Sequence, residues 1–207
     1  MVKWPDNIRG VIAPDGSAKA RIERAALELF SENGVDGVST KSIAARAGVS
    51  EGLIYRYFKS KDALAHALMV AIHDRLTDMI DIAALRQEGV VDQISFIVRH
   101  YCEIADSDWT LFRYHIRHLY YFKGLSEDPD RSPLGAAAKL LSAAMDKGEI
   151  GRSDPVLLAS MVLGVVLQSA QSKSLGAITG LLMERAEIFE QAVLAVLDIT
   201  RHKSMGS

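Results

Sequence analysis

Ser50, Tyr55, Tyr57 and Lys61 set three hydroxyls and an ammonium group into one short stretch, "GVSEGLIYRYFKSKDAL", from Gly48 to Leu64. Such groups neither cleave nor transfer anything by themselves; they hydrogen-bond and neutralise phosphate. The surroundings agree with that chemistry. Between residues 39 and 61 stand five cations, Lys41, Arg46, Arg56, Lys59 and Lys61, against the single acid Glu51. On a chain of formal net charge −2 this basic patch is a site rather than a bulk property.

A second group of chemically able residues lies in "SDWTLFRYHIRHLYYF", from Ser107 to Phe122. His115 and His118 are spaced i, i+3 on one helical face, which suits a metal ion. The aromatic rings around them suit a cavity for an aromatic or amphipathic compound, and ordinary packing explains the same stripe. Paired carboxylates, an activated nucleophile and a phosphate loop of recognisable spacing are missing, so an enzyme is not expected. A helical small-molecule or metal-binding protein, or an enzyme using the His115/His118 region, remains the alternative. Neither a resident metal nor a cofactor is expected.

Composition limits the remaining choices. The 207 residues are 49% hydrophobic and 24% charged, enough apolar material for a sizeable core. Cys102 is the only cysteine, which rules out an intrachain disulfide and a cysteine-based zinc module. It reads as a small buried hydrophobe. The opening "MVKWPDNIRG" lacks the apolar centre of a signal peptide. The longest apolar run, Val156 to Leu167, is too short to span a bilayer. A cytoplasmic protein without membrane contact is the expectation.

The elements that must position these residues are helices. Ile22, Ala26, Leu29 and Phe30 mark one buried face of a first helix, with Gly34 as its stop. Ser39 caps a short second helix, "TKSIAARA", whose Ile43, Ala44 and Ala47 face inward and which Gly48 ends. Ser50 caps a third, "EGLIYRYF", and Ser60 a fourth that holds the stripe Leu64, Leu68, Ile72, Leu76 and Ile80. Further helices are expected near 90–105, 108–123, 133–147, 154–172 and 183–201, without strand alternation anywhere. The fold class is therefore all-α. The expected divisions are a loose arm (1–17), a three-helix helix-turn-helix domain (18–63), a larger helical domain (64–201) and a tail (202–207). Two short helices joined by a glycine turn form a helix-turn-helix. Ile54 and Phe58 then pack inward while Tyr55 stands outside.

The segment from Lys19 to Leu68 resembles the N-terminal domain of TetR-family transcriptional regulators almost position for position. The shared pattern is a helix, a glycine, "IAARAGVS" after a capped start, then "GLIYRYFKSKDAL". The resemblance implies a sequence-specific regulator of double-stranded DNA, a repressor released from a palindromic operator when a small molecule binds its C-terminal domain. Carried over by position, Ser39 and Lys41 touch phosphates and Arg46 reaches phosphate or base. Ser50, Glu51, Gly52 and Leu53 face the groove, Tyr55 and Tyr57 bind phosphates, and Lys61 anchors the fourth helix. Glu51 stands where Lys or Arg is frequent in that family, and Leu53 where Thr is frequent.

The resemblance also implies a small-molecule effector and a homodimer. The helices near 154–172 and 183–201 are its expected interface, through Gly164 and through Ile188, Phe189, Ala192, Val193, Val196 and Leu197; burial within one chain is the other reading. Tyr101, Trp109, Phe112, His115, His118, Met161 and Gln168 are the candidate effector residues.

Overall fold

The computed structural model describes residues 16–119, 121–122 and 131–199. Among these there are nine α-helices and no strand, so the fold is all-α as the periodicity requires. They are α1 (Ala18–Asn33), α2 (Thr40–Ala47), α3 (Glu51–Tyr57), α4 (Lys61–Arg86), α5 (Val90–Ser107), α6 (Trp109–His118), α7 (Pro133–Asp146), α8 (Pro155–Ser174) and α9 (Ala186–Val196). A 3-10 turn, Met183–Arg185, leads into α9. Most of the arm expected over 1–17, the tail over 202–207 and Tyr120 lie outside the described residues.

The chain separates into two compact units. Unit 1 takes residues up to Asp78 together with Ser107–Asp128, and unit 2 takes Met79–Asp106 together with Pro129 onward. In unit 1 the core is Ile22, Ala26, Leu27, Phe30, Ile43, Ile54, Leu64 and Leu68, each almost wholly buried. Leu29, expected in that face, is only half-buried. At about 100° per residue the buried face of α1 centres near Phe30, which leaves Leu29 at its edge and brings Leu27 in.

Local chemistry sets the helix ends. Ser17 Oγ accepts from Ala20 N at 3.0 Å, and Ser60 Oγ accepts from Ala63 N at 3.0 Å. Ser39 and Ser42 form a reciprocal capping box at the start of α2. Gly48 ends α2 in the left-handed region, φ 63° and ψ 42°, where a Cβ is strained. Its neighbour Val49 closes the turn by donating to Ala44 O at 3.0 Å. Ser50 sits at the N-cap position of α3 in extended conformation but makes no side-chain cap bond, contrary to expectation.

Three helices depart clearly from the expected spans, and the first of them, α6, expected over 108–123, ends at His118 with turn residues after it. The stripe of the fourth helix reaches Ile80 in the sequence, whereas α4 runs on to Arg86, because no breaker intervenes before Gly89 (φ 85°). α9 stops at Val196, short of the expected 201: Asp198 turns left-handed at φ 57°, and Ile199 N donates back to Leu194 O at 2.8 Å.

In unit 2, Asp106 is the main polar fixture. Its carboxylate takes Lys173 Nζ at 3.1 Å, Leu182 N at 3.0 Å and Met183 N at 2.8 Å. Glu190, 1% exposed, pairs with Arg99 at 2.7 Å and accepts from Ser95 Oγ at 3.1 Å. Cys102 is fully buried beside these acids. Burial first, and the charges of Asp106 and Glu190 second, push its thiol up to about 12.

Candidate nucleic-acid interface and the residues behind it

α2 and α3 place the predicted DNA residues according to how much of each the core consumes. Ile54 is wholly buried and Phe58 nearly so, whereas Tyr55 is 53% and Tyr57 39% exposed. Ser39, Lys41, Arg46, Ser50, Glu51 and Gly52 are exposed, and Leu53 and Lys61 are half-buried. A Cβ built on Gly52 would meet nothing within 4 Å, so the space over that backbone is open. Arg56 lies over the Tyr57 ring, 5.6 Å from its centroid.

Several of these side chains already have partners. Ser39 Oγ is engaged in the capping box. Thr40, absent from the sequence-derived set, donates through its hydroxyl to Glu51 Oε1 and lies 3.4 Å from the Tyr55 hydroxyl. Glu51 is thereby held across from α2 to the start of α3. Arg46 Nη1 donates to Glu28 Oε2 at 3.0 Å, and Arg24 Nε to Glu28 Oε1 at 3.1 Å. Arg24 Nη1 reaches Asp108 Oδ2 at 2.5 Å, and Asp108 Oδ1 caps α6 by accepting from Leu111 N at 3.1 Å. A line of alternating charges thus runs from Arg46 to the first turn of α6.

The candidate effector residues divide between the units. Trp109, Phe112, His115 and His118 are in unit 1; Tyr101, Met161 and Gln168 are in unit 2. Phe112, His115 and His118 are buried, and Trp109 stacks on Phe112 with centroids 6.0 Å apart. His115 and His118 meet different neighbours. The His118 ring bonds Tyr114 O through Nδ1 at 3.0 Å and lies 4.7 Å from the Tyr114 ring. The His115 ring lies 5.3 Å from His73, a residue of α4 that the sequence reading did not single out. Its signal was available, since His73 and Thr77 continue the i+4 row of the buried Met69. Among the described residues no group of three or more His, Cys, Asp or Glu is placed to hold a metal.

Burial governs these imidazoles. The His115 ring is pushed down to about 3, by burial first and by nearby His73 second. His73 and His118 are also lowered, with burial as the leading cause. A histidine whose folded pKa is depressed favours the folded state fully above its ordinary 6.5, and that contribution is lost as pH falls from there toward about 3. Urea midpoints should therefore fall between about pH 7 and pH 5, each such ring adding up to about 1.4 kcal/mol per pH unit. His115→Phe should flatten the profile, and a profile equally steep in that variant would show that other groups carry it.

α8 has an unusual surface. It is 20 residues long with a mean hydropathy of 1.5 in its most apolar window, only 22% of which is buried. By length and composition it is sufficient to cross a membrane, whereas the 12-residue apolar run alone had indicated a segment too short. Ala159, Val162, Val166 and Ala170 face inward. Leu157, Met161 and Gln168 are exposed at i, i+4 and i+11, and Gly164 between them has nothing within 4 Å of a built Cβ. On α9, Ile188 is 64% exposed, and Ala192 and Val196 are half-buried on the same side.

A small helical domain built on a helix-turn-helix with an open, cation-bearing face defines a class of DNA-binding fold. Residues 22–68 match the family described as bacterial regulatory proteins, tetR family. Over those residues the chain is similar to TetR-family regulators. It is 35% identical over 95 residues to nucleoid occlusion factor SlmA of Glaesserella parasuis serovar 5 (strain SH0165), a match covering 46% of this chain and 47% of SlmA. It is 39% identical over 61 residues to the HTH-type transcriptional repressor Rv3405c of Mycobacterium tuberculosis (strain ATCC 25618 / H37Rv), covering 30% and 32% of the two chains. The chain thus spans about half the length, or less, of these curated relatives. Its fold is similar to that of the transcriptional regulator FadR from Bacillus subtilis in complex with stearoyl-CoA. That likeness has a TM-score of 0.73 and 18% identity, covering 85% of this chain and 97% of FadR.

Proposed function

We infer that the chain is a homodimeric, ligand-responsive regulator of transcription, a repressor that leaves a palindromic operator when a small molecule binds. The observation that carries this reading is the division of α3: Ile54 and Phe58 close the core while Tyr55, Tyr57, Glu51 and Gly52 stand open beside Lys41 and Lys61. Residues 18–63 act as the DNA-binding domain and 64–201 carry effector binding and dimerisation, in a protein that works in the cytoplasm and not as an enzyme.

The hydroxyls and amines have separate tasks. Ser50, whose hydroxyl makes no cap bond, is available to a phosphate, as are Lys41, Tyr55, Tyr57 and Lys61. Ser39 reaches phosphate only by sharing its capping hydroxyl. Arg46 reaches DNA only by loosening its pair with Glu28. Glu51 and Leu53 select bases: a carboxylate accepts from a cytosine amino group and an apolar side chain meets a thymine methyl.

The exposed Leu157, Met161 and Gln168, with half-buried Gly164 between them and Ile188 of α9 beside them, support a second copy of this chain as the dimer partner. On this assignment Met161 and Gln168 serve the interface, and Trp109, Phe112 and His115 serve the effector. Several relatives are regulators, and one structural neighbour holds an acyl-CoA, which supports an effector-bound switch in general without naming its ligand. Release requires only that the ligand favour one dimer conformation over another.

Binding to DNA flanking the chain's own gene, measured across salt concentrations, tests the reading. Affinity should fall steeply with salt, and Lys61→Ala should weaken binding to all sequences while lowering the salt slope by about one. Glu51→Gln should instead alter base preference at one position of each half-site by about 1–3 kcal/mol. Binding that ignores both salt and sequence would eliminate the regulator reading.

A further inference from the structure

His73 Nε2 and His115 Nδ1 are both buried, and neither meets a hydrogen-bonding group of the protein. Their rings stand edge to face in unit 1, centroids 5.3 Å apart and planes at 72°. His115 as a whole is only 2% exposed. Buried polar atoms are hydrogen-bonded with few exceptions, so two orphans on adjoining rings mark a place completed by a group from outside the chain.

The neighbours restrict what that group can be. A neutral imidazole has one N–H and one lone pair, so the two rings together can offer a donor and an acceptor. A hydroxyl both donates and accepts, and can satisfy the two at once. Phe112 lies 5.9 Å from His115 and Trp109 lies 6.0 Å from Phe112, a row of rings that favours another aromatic ring edge-on or offset. Arg75, two positions beyond His73 and so about 200° round α4, has its own buried Nε without a partner and feels the charge of Asp108 from that other side. A metal is poorly served, because two nitrogens fall short of the four ligands of a structural zinc site.

We propose that His73 and His115 form the polar end of the effector site, and that the effector is a neutral aromatic compound carrying a hydroxyl. The hydroxyl bridges α4 to α6, and the ring lies against Phe112 and Trp109. This rests on the effector-responsive reading above and adds the ligand's chemical class. The burial that keeps both imidazoles uncharged also disfavours a carboxylate or phosphate there.

Titration calorimetry of the full chain with β-naphthol, naphthalene and β-naphthoate tests the proposal. β-Naphthol should bind one per chain, at least about tenfold tighter than either analogue, as one lost hydrogen bond implies. Its binding should shift the ring-nitrogen resonances of His73 and His115. His115→Phe and the less buried His73→Leu should each lose about tenfold, with His73→Gln restoring part of the affinity. If His115→Phe fails to fold, His73→Leu and His73→Gln carry the test. The proposal falls if naphthalene matches β-naphthol, if β-naphthoate binds tightest, if none of the three binds, or if both leucine and phenylalanine variants bind as the parent does. It falls equally if the purified chain holds stoichiometric zinc that His73→Leu removes. Operator binding by the same ligand-free samples separates the two levels. Specific binding without a naphthol response leaves the regulator reading standing, whereas absent operator binding removes that reading itself.

Discussion

Asp106→Ala should lower the stability of the chain by about 3 kcal/mol, read as a fall in urea midpoint at nearly constant m. The carboxylate is 11% exposed and its partner Lys173 15%, so removing it takes a charged acceptor from an ammonium group that water reaches poorly. Two further donors lose their acceptor. Leu182, wholly buried, leaves an N–H without a partner, whereas the more exposed Met183 can turn to water. Asp106→Asn should fall in between, since one amide oxygen can still accept while its NH2 opposes a donor. Asp146→Ala provides the contrast. Its ion pair with Arg152 is 3.4 Å long between two well-exposed side chains, and losing it should cost under about 0.5 kcal/mol. Equal effects at the two sites would mean that the Asp106 bonds contribute nothing beyond surface electrostatics.

Met161→Lys should behave in the opposite way, leaving the fold intact and abolishing the dimer. The Met161 side chain is 48% exposed in the single chain, so the substitution itself should alter unfolding by no more than about 0.5 kcal/mol. At an interface between two α8 stripes it would place an ammonium group in an apolar seam, with no acid on that stripe to receive it. Sedimentation should show monomers where the parent shows dimers. Operator affinity should drop by about 100-fold or more, because a protein with one recognition helix loses the gain from occupying two half-sites. A parent chain that is already monomeric, or a variant that stays dimeric, would remove α8 from the interface. Co-sedimentation of the parent with lipid vesicles would assign the stripe to a bilayer instead.

What the sequence disclosed and what it hid follow the range of the interactions involved. Ser39, Ser60 and Gly48 act within four residues of themselves, so their roles could be read directly. The buried stripe of α4 was equally plain, since a helix repeats its own geometry. Partners brought together by helix crossings were not. Thr40 meets Glu51 across the turn, Arg46 meets Glu28 from eighteen residues away, and His115 meets His73 from another helix. Each changes the reading of a residue already named: Arg46 is a shared cation rather than a free one, and Glu51 is held in place. The aromatic run of α6 was ambiguous for another reason. A helix rich in rings on all sides offers no period from which to choose the side that faces a ligand, and Met161 and Gln168 carried no mark separating a pocket from an outer face.

Cys102 has a practical consequence. Its thiol is shut away and held far from ionisation, and the chain contains no other cysteine. A thiol-reactive dye should therefore ignore the native protein, because only the thiolate attacks and only an open thiol is reached. Any cysteine introduced on the outer faces of α3 or α8 would then be the sole label site, with no need to delete the native one. When slow labelling of Cys102 does occur it becomes a clock for the opening of unit 2, counting rare excursions that leave no trace in the folded structure.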